Sequence, residues 1–268
     1  MMKGSLDRNR IKELIHALIP VSQEAGSAIL EIYNSADKGI EQKKDSSPLT
    51  RADIASNTII CHALESLSPD IPIISEENDD LPYSERSQWD YCWIVDPLDG
   101  TKEFIKHNDE FTTNIGLVYN HEVIAGVVYI PVFDEMYYAI KGEGAFKIVN
   151  NKTEKINSEE FNRSDTGLKV ICSRSHLNEK TKAFINTLSE PELISKGSSL
   201  KFLSIAQGDA HIYPRMAPTM EWDTCAAQII LEEAGGSVCI NDNPTQAVQY
   251  NKEDLLNPYF IAKAKEVM

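Results

Sequence analysis

The spacing of apolar positions changes along this chain, and each change marks an element. Ile11, Leu14, Ile15 and Leu18, then Ala25, Ala28, Ile29 and Ile32, recur at helical spacing with Pro20 between the two sets. That pattern predicts two helices, or one with a kink. Residues 34–48 are polar and predict a loop. The helical period returns through Ile54, Thr58, Cys61, Leu64 and Leu67, with Thr50 as N-cap and Asp53 at the third helical position. Asp53 therefore has a local task available, closing a capping box at a helix start.

A short β-branched strand over residues 71–74 runs into Ser75-Glu76-Glu77-Asn78-Asp79-Asp80, and residues 81–90 read as irregular. A second apolar run stops at Asp96-Pro97-Leu98-Asp99-Gly100-Thr101. Pro97 keeps Asp96 extended and Gly100 admits positive φ, which predicts a sharp turn that aims both acids at one point beside a free Leu98 carbonyl. Residues 113–119, 123–130, 136–140 and 145–149 read as strands of a meander, and 150–166 as a polar connection. The boundary is placed there, between an N-terminal α+β lobe (1–160) and a C-terminal α/β lobe (161–268). In the second lobe, strands at 168–172, 192–194, 211–213 and 238–240 alternate with helices at 178–188, 199–207 and 222–233.

Charge narrows the classes of partner. A formal charge of −15 over 268 residues disfavours nucleic acid and an anionic membrane surface. A small anionic substrate would need cations to bring it in. The five cysteines are scattered and never in C-x-x-C spacing, as reduced thiols are. No stretch approaches the roughly 20 apolar residues of a membrane-spanning helix, and the first residues show no apolar leader pattern. A cytoplasmic protein is expected, with monomer and homodimer both open.

Glu76, Asp96 and Asp99 stand at strand ends, and Asp223, in Glu221-Trp222-Asp223-Thr224, falls in the first turn of a predicted helix. Each acid singly is explained by capping. Together they form the oxygen donor set of a hard cation such as Mg²⁺, whereas a zinc site lacks its His/Cys cluster.

Ser75-Glu76-Glu77, Asp96-Pro97-Leu98-Asp99-Gly100-Thr101 and Trp222-Asp223, in that order, resemble the three signatures of the Mg²⁺-dependent, lithium-sensitive inositol monophosphatase superfamily. The resemblance covers nearly the whole chain. It implies a layered α-β-α-β-α sandwich of the inositol monophosphatase and fructose-1,6-bisphosphatase type. It further implies two to three Mg²⁺ ions held by Glu76, Asp96, Asp99, Asp223 and the Leu98 carbonyl, with Asp96 bridging two of them. Asp53, in Ser47-Pro48-Leu49-Thr50-Arg51-Ala52-Asp53, would pair with Thr101 to orient an attacking water, without a phosphoenzyme. Haloacid-dehalogenase-type phosphatases carry D-x-D-G-T after a strand and use the first Asp as nucleophile, but D-P-L-D-G-T has one residue too many.

Lys102-Glu103-Phe104, Ser173-Arg174-Ser175-His176, Gly197-Ser198-Ser199-Leu200-Lys201 and Tyr213-Pro214-Arg215 are similar to the CysQ-type 3′(2′),5′-bisphosphate nucleotidase branch. That resemblance implies hydrolysis of adenosine 3′,5′-bisphosphate to AMP and phosphate in sulfur assimilation, and leaves open whether 3′-phosphoadenosine 5′-phosphosulfate is also a substrate. Glu76, Leu98, Asp99, Gly100, Thr101 and Asp223 would surround the scissile phosphate. Arg174, His176, Lys201 and Arg215 are candidates for the second phosphate, and the amides of Gly197, Ser198 and Ser199 form a candidate anion cradle. Tyr213 is either an adenine platform or a buried sheet residue. An inositol or sugar phosphatase, and a metal-dependent nucleotide-binding protein without turnover, are the remaining readings; Asp53 and Thr101 argue against the second.

Overall fold

Residues Arg8–Tyr33 form one helix, α1, with Pro20 inside it, the single-helix alternative of the two expected. Proline deprives the carbonyl four residues earlier of its hydrogen bond. Here both Pro20 and His16 are exposed, so water can take that carbonyl and the helix continues. The structure, a computed structural model, describes residues 6–43, 47–79, 81–172 and 178–267. A two-strand ladder, β1 (Glu41–Gln42) with β2 (Pro48–Leu49), lies within and just past the predicted loop and leads into α2 (Arg51–Leu67). Thr50 caps α2 and Asp53 closes the capping box.

Seven strands follow as one sheet: β3 (Ile73–Ser75), β4 (Tyr91–Asp99), β5 (Thr112–Tyr119), β6 (Glu122–Ile130), β7 (Glu135–Ile140), β8 (Gly144–Val149) and β9 (Lys152–Ile156). They lie in sequence order, with β3 and β4 parallel and every later pair antiparallel. One-turn helices α3 (Tyr83–Arg86) and α4 (Thr101–Ile105) flank β4. The segments 81–90 and 150–166, expected to be irregular, thus hold α3, β9 and β10 (Glu160–Phe161). β9 has four exposed residues and one buried, so it carries no apolar period; pairing with β8 makes it a strand.

The remaining elements are β11 (Lys169–Cys172), α5 (Glu179–Ile185), β12 (Glu192–Ser195), α6 (Leu200–Ala206), β13 (Ile212–Arg215), α7 (Cys225–Glu233), β14 (Ser237–Ile240), β15 (Phe260–Lys263) and β16 (Lys265–Glu266). A second sheet has the order β12-β11-β13-β15-β14, and β10 pairs with β16 in a short ladder. The crossovers β11-α5-β12 and β12-α6-β13 run in opposite directions, which with right-handed connections puts α5 and α6 on opposite faces. The layers are therefore α1 with α2, the first sheet, α6 with α7, the second sheet, and α5.

Two apolar cores separate these layers. Leu14, Ile15, Leu18, Ile60 and Leu64 pack on Trp93, Val95, Ile115 and Leu117 on one side of the first sheet. On the other side, Ile94, Val118 and Val128 meet Ala226, Ile229 and Ile230 of α7. Helix α7 approaches the sheet closely because Gly116 and Gly126 face each other in register beneath it. A Cβ at Gly116 would lie 2.4 Å from Cys225 Sγ, and one at Gly126 2.8 Å from the Ala226 carbonyl oxygen. This close contact brings the chain just before α7, with Asp223, down onto the end of β4.

Candidate active site

Strand β4 continues past Pro97 to Asp99, and the turn comes at Gly100 (φ 96°) instead of at Asp96. What replaces the expected turn is a bulge. Asp96 pairs with Asn114 and Asp99 with Thr112, so three steps on β4 match two on β5. In a regular strand, residues three apart point to opposite faces; the extra residue restores the parity, and Asp96 and Asp99 share a face. Pro97 is tolerated there because a bulge residue owes no ladder hydrogen bond, while its carbonyl accepts from Ser56 Oγ at 2.6 Å.

Asp223 lies before α7, whose N-cap is Thr224, and not within its first turn. The reason is Glu221, fully buried, which accepts from the amides of Asn251 and Lys252 and from the Lys252 ammonium. That anchor draws 220–224 into an irregular turn, and Asp223 Oδ2 accepts from Met220 N at 2.9 Å. Asp96, Asp99 and Asp223 each offer one carboxylate oxygen within 4.8 Å of the others.

Glu76 is brought alongside by the parallel register Ser75↔Val95, with its own amide donating to the Val95 carbonyl at 3.2 Å. Its carboxylate does not join the group of three. Glu76 Oε1 accepts from Lys43 Nζ at 2.8 Å, and Lys43 also donates to Glu77 Oε1 at 2.6 Å. Lys43 was not visible as a site residue, since it sits in a polar loop with nothing local to distinguish it.

The donor set suits a hard cation. Asp96 is 1 % exposed; its Oδ1 accepts from Leu98 N at 3.1 Å, but its Oδ2 is buried without a partner. An unsatisfied buried carboxylate oxygen is costly unless something cationic meets it or the group takes up a proton. Burial, then the charges of Glu76, Asp99, Asp223 and Asp53, holds the Asp96 carboxyl well above the ordinary carboxylate range. Burial and then Asp99 push Asp223 up to about 7. Glu76 is also raised, burial outweighing the attraction of Lys43.

These shifts set a pH dependence with a definite sign. Between the ordinary carboxylate range and about 7, the folded protein without a cation binds more protons at Asp96 and Asp223 than the unfolded chain does. Its stability therefore falls as pH rises through that window. A divalent cation competes with those protons, so the rise in Tm caused by Mg²⁺ is expected to be larger at about pH 8 than at about pH 5.5. Thermal melts at both pH values check this, and a Mg²⁺ effect that shrinks with pH would remove these carboxylates from the metal site.

Asp53 keeps its capping task and acquires a second one. Its Oδ2 accepts from Thr50 N at 2.7 Å and from Thr50 Oγ1 at 2.6 Å, while Oδ1 accepts from Thr101 Oγ1 at 3.0 Å. Thr101 Oγ1 also lies 3.3 Å from the Leu98 carbonyl oxygen. Burial raises the Asp53 carboxyl above its usual range, against the hydrogen bonds from Thr50 and Thr101.

These groups open on a cleft of about 870 Å³ lined by Glu76, Asp96, Leu98, Asp99, Gly100, Thr101 and Asp223. Lys201 and Arg215 also line it, as do Lys102, which the sequence marks only within Lys102-Glu103-Phe104, and Lys106 and Lys196, which it does not mark. The i, i+4 spacing of Lys102 and Lys106 was the available signal. Arg174 and His176 lie outside the described residues. Gly197 and Ser198 line the cleft, but the Gly197 amide donates to Glu110 Oε2 at 2.9 Å and the Ser199 amide to Asp99 Oδ2 at 2.6 Å. The expected anion cradle thus receives carboxylates of the chain itself. Tyr213 is 4 % exposed within β13, a buried sheet residue.

Comparison with known proteins bears on the same residues. The sequence pattern described as the inositol monophosphatase family matches residues 10–267. The chain is 41 % identical over 250 residues to the 3′(2′),5′-bisphosphate nucleotidase CysQ of Salmonella typhimurium, covering 92 % of this chain and 98 % of that protein. It superposes on the crystal structure of CysQ from Bacteroides thetaiotaomicron, a bacterial member of the inositol monophosphatase family, with a TM-score of 0.81 and 40 % identity, over 94 % and 97 % of the two chains. The suhB protein of Bartonella henselae shares the fold, with a TM-score of 0.76 at 22 % identity over 94 % of each chain. By pattern, by sequence and by fold along nearly its entire length, this chain belongs to the inositol monophosphatase family.

Proposed function

We propose that this chain is a Mg²⁺-dependent phosphomonoesterase that removes the 3′-phosphate of adenosine 3′,5′-bisphosphate, giving AMP and phosphate, and that acts on 3′-phosphoadenosine 5′-phosphosulfate as well. The observation that carries the reading is the buried, unpartnered Asp96 Oδ2 in a cluster with Asp99 and Asp223, at the floor of a cleft whose walls carry Lys196, Lys201 and Arg215. The 3′(2′),5′-bisphosphate nucleotidase activity of the CysQ relatives supports the nucleotide over other phosphate esters.

Glu76, Asp96, Asp99, Asp223 and the Leu98 carbonyl would hold the ions. When bound, Mg²⁺ supplies charge neutralisation of the phosphoryl group and of the leaving oxygen, and lowers the pKa of water. The protein's own part is to place and deprotonate the nucleophile. Thr101 lines the cleft, and its hydroxyl proton points to Asp53 Oδ1, leaving an oxygen lone pair to accept a proton from the attacking water. Asp53 then receives the threonine proton, and its raised pKa suits it to do so. Lys201 and Arg215 would meet the phosphate that is not cleaved.

Among the described residues no helix is long and apolar enough to cross a membrane. The proposed location is the cytoplasm, where reduced thiols persist; all five cysteines are unpaired.

Phosphate release from adenosine 3′,5′-bisphosphate, 3′-phosphoadenosine 5′-phosphosulfate and inositol 1-phosphate, measured side by side, tests the proposal. The expected result is preference for the nucleotides, dependence on Mg²⁺ and inhibition by Li⁺. Preference for inositol 1-phosphate would overturn the nucleotidase assignment, and no turnover of any ester would favour a binding protein.

A further inference from the structure

The Lys196–Ser199 segment enters the cleft from the second half of the chain, yet the groups that fix it belong to the first half. Glu110 Oε2 accepts the Gly197 amide at 2.9 Å. Ser198, with a left-handed backbone (φ 51°), donates to Asp99 Oδ2 at 2.7 Å, and the Ser199 amide donates to the same oxygen. Thr112 Oγ1 lies 2.8 Å from Ser198 Oγ and 2.7 Å from Ser199 Oγ, and Ser199 Oγ donates to Asn114 Oδ1 at 2.9 Å. Thr112, Asn114 and Ser199 are all at most 1 % exposed. Asn114 and Thr112, two apart on β5, share a face by the strand period, and the bulge in β4 brings both Asp96 and Asp99 onto it, so one face of the sheet carries both the acids and the seat of this segment.

Glu110 stands on the wall of a cleft that must take a polyanion, and its carboxylate accepts the Gly197 amide. There is no room for a side chain at Gly197, because a Cβ would lie 2.9 Å from Glu103 Cγ and 3.0 Å from Glu110 Oε2. Glu103, in the Lys102-Glu103-Phe104 stretch that tracks substrate class, therefore packs against the segment while also lining the cleft. On either side of the latch, Lys196 lines the cleft, and Lys201 lines it while donating to the Ser198 carbonyl at 2.8 Å.

We propose that Glu110 is a specificity-determining positioning residue: with Glu103 packed beside it, it latches Gly197 so that Lys196 and Lys201 stand where the uncleaved phosphate of a bisphosphate substrate binds. The proposal rests on the nucleotidase reading. It assigns to Glu110 a role in discrimination and none in the cleavage step.

The test compares adenosine 3′,5′-bisphosphate with 3′-AMP, which has the same scissile ester and lacks only the second phosphate. Wild type is expected to favour the bisphosphate in kcat/KM. In Glu110→Ala this preference should fall about tenfold, through KM for the bisphosphate, whereas any loss passed through Ser198 and Ser199 to Asp99 should fall equally on both substrates. Glu110→Gln, which retains an acceptor for the Gly197 amide, should recover part of it. Gly197→Ala, which displaces the segment from the other side, should show the same fall in the ratio of the two kcat/KM values. Hydrogen exchange at residues 197–199 should quicken in Glu110→Ala while α2 and β4 stay protected. A wild type without preference overturns the nucleotidase reading and the latch with it. A strong wild-type preference that survives in both Glu110→Ala and Gly197→Ala, or equal losses on the two substrates, overturns the latch alone.

Discussion

Asp96→Asn is expected to abolish phosphate release while leaving the fold in place. Asp96 is the one acid of the cluster that is both buried and missing a partner, so it contributes most to holding a cation and least to local structure. The hydrogen bond it accepts at Oδ1, from Leu98 N, can pass to the asparagine oxygen unchanged. The amide nitrogen would then occupy the position of Oδ2, presenting donors where a cation must bind. Losing several kcal/mol of transition-state stabilisation corresponds to about 10³-fold or more in kcat. Stability should move the other way. The substitution removes a desolvated acid crowded by Glu76, Asp99 and Asp223, so at about pH 8 and without metal the variant should melt at or above the wild-type temperature. Calorimetric titration with Mg²⁺, melts, and steady-state assays check the three parts. A variant with near-normal rates would mean that Asp96 is not a ligand.

The second large effect is expected at Asp53, where the capping and catalytic tasks can be separated by chemistry. All three neighbours donate to this carboxylate: Thr50 N and Thr50 Oγ1 to Oδ2, and Thr101 Oγ1 to Oδ1. Asparagine can satisfy only one side. The Thr50 amide is fixed by the helix start, whereas the Thr101 hydroxyl can turn toward the Leu98 carbonyl, 3.3 Å away. Asparagine should therefore keep its oxygen on Thr50 and lose Thr101. The predicted outcome is a melting temperature near wild type with kcat reduced about 10²–10⁴-fold, the range of a positioned general base. Thr101→Ala should show the same loss, Thr101→Ser should retain most of the rate, and Asp53→Asn with Thr101→Ala should be no worse than either alone, because the two act as one unit. Losses that multiply in the double variant would show that the residues act independently.

Much of this site can be read without coordinates because its chemistry is packed into short, strongly constrained stretches. A capping box needs only Thr50 and Asp53 three residues apart, and it is present as the spacing predicts. The parallel pairing that sets Glu76 beside Asp96 follows from two apolar strands that both end in acids. The misreadings also have local causes. Proline with two acids and glycine normally spells a turn, but pairing with β5 carries β4 through Pro97 as a bulge. Pro20 normally breaks a helix, but exposure of His16 and Pro20 allows α1 to pass. The polar β9 and the turn before α7 depend on partners far away in the chain, β8 in one case and Asn251 with Lys252 in the other.

By itself the sequence determined the acids at element ends, the Thr50–Asp53 capping box and the alternation of strands and helices, since each depends on residues within a few positions of one another. Only the tertiary structure decided that Asp223 meets Asp96 and Asp99, that Lys43 bridges Glu76 and Glu77, and that Glu110, Thr112 and Asn114 seat the Gly197–Ser199 segment. Those contacts join residues that stand tens to more than a hundred positions apart. Their geometry comes from the bulge in β4 and from the close approach of α7 over Gly116 and Gly126, which no local pattern of apolar and polar residues encodes.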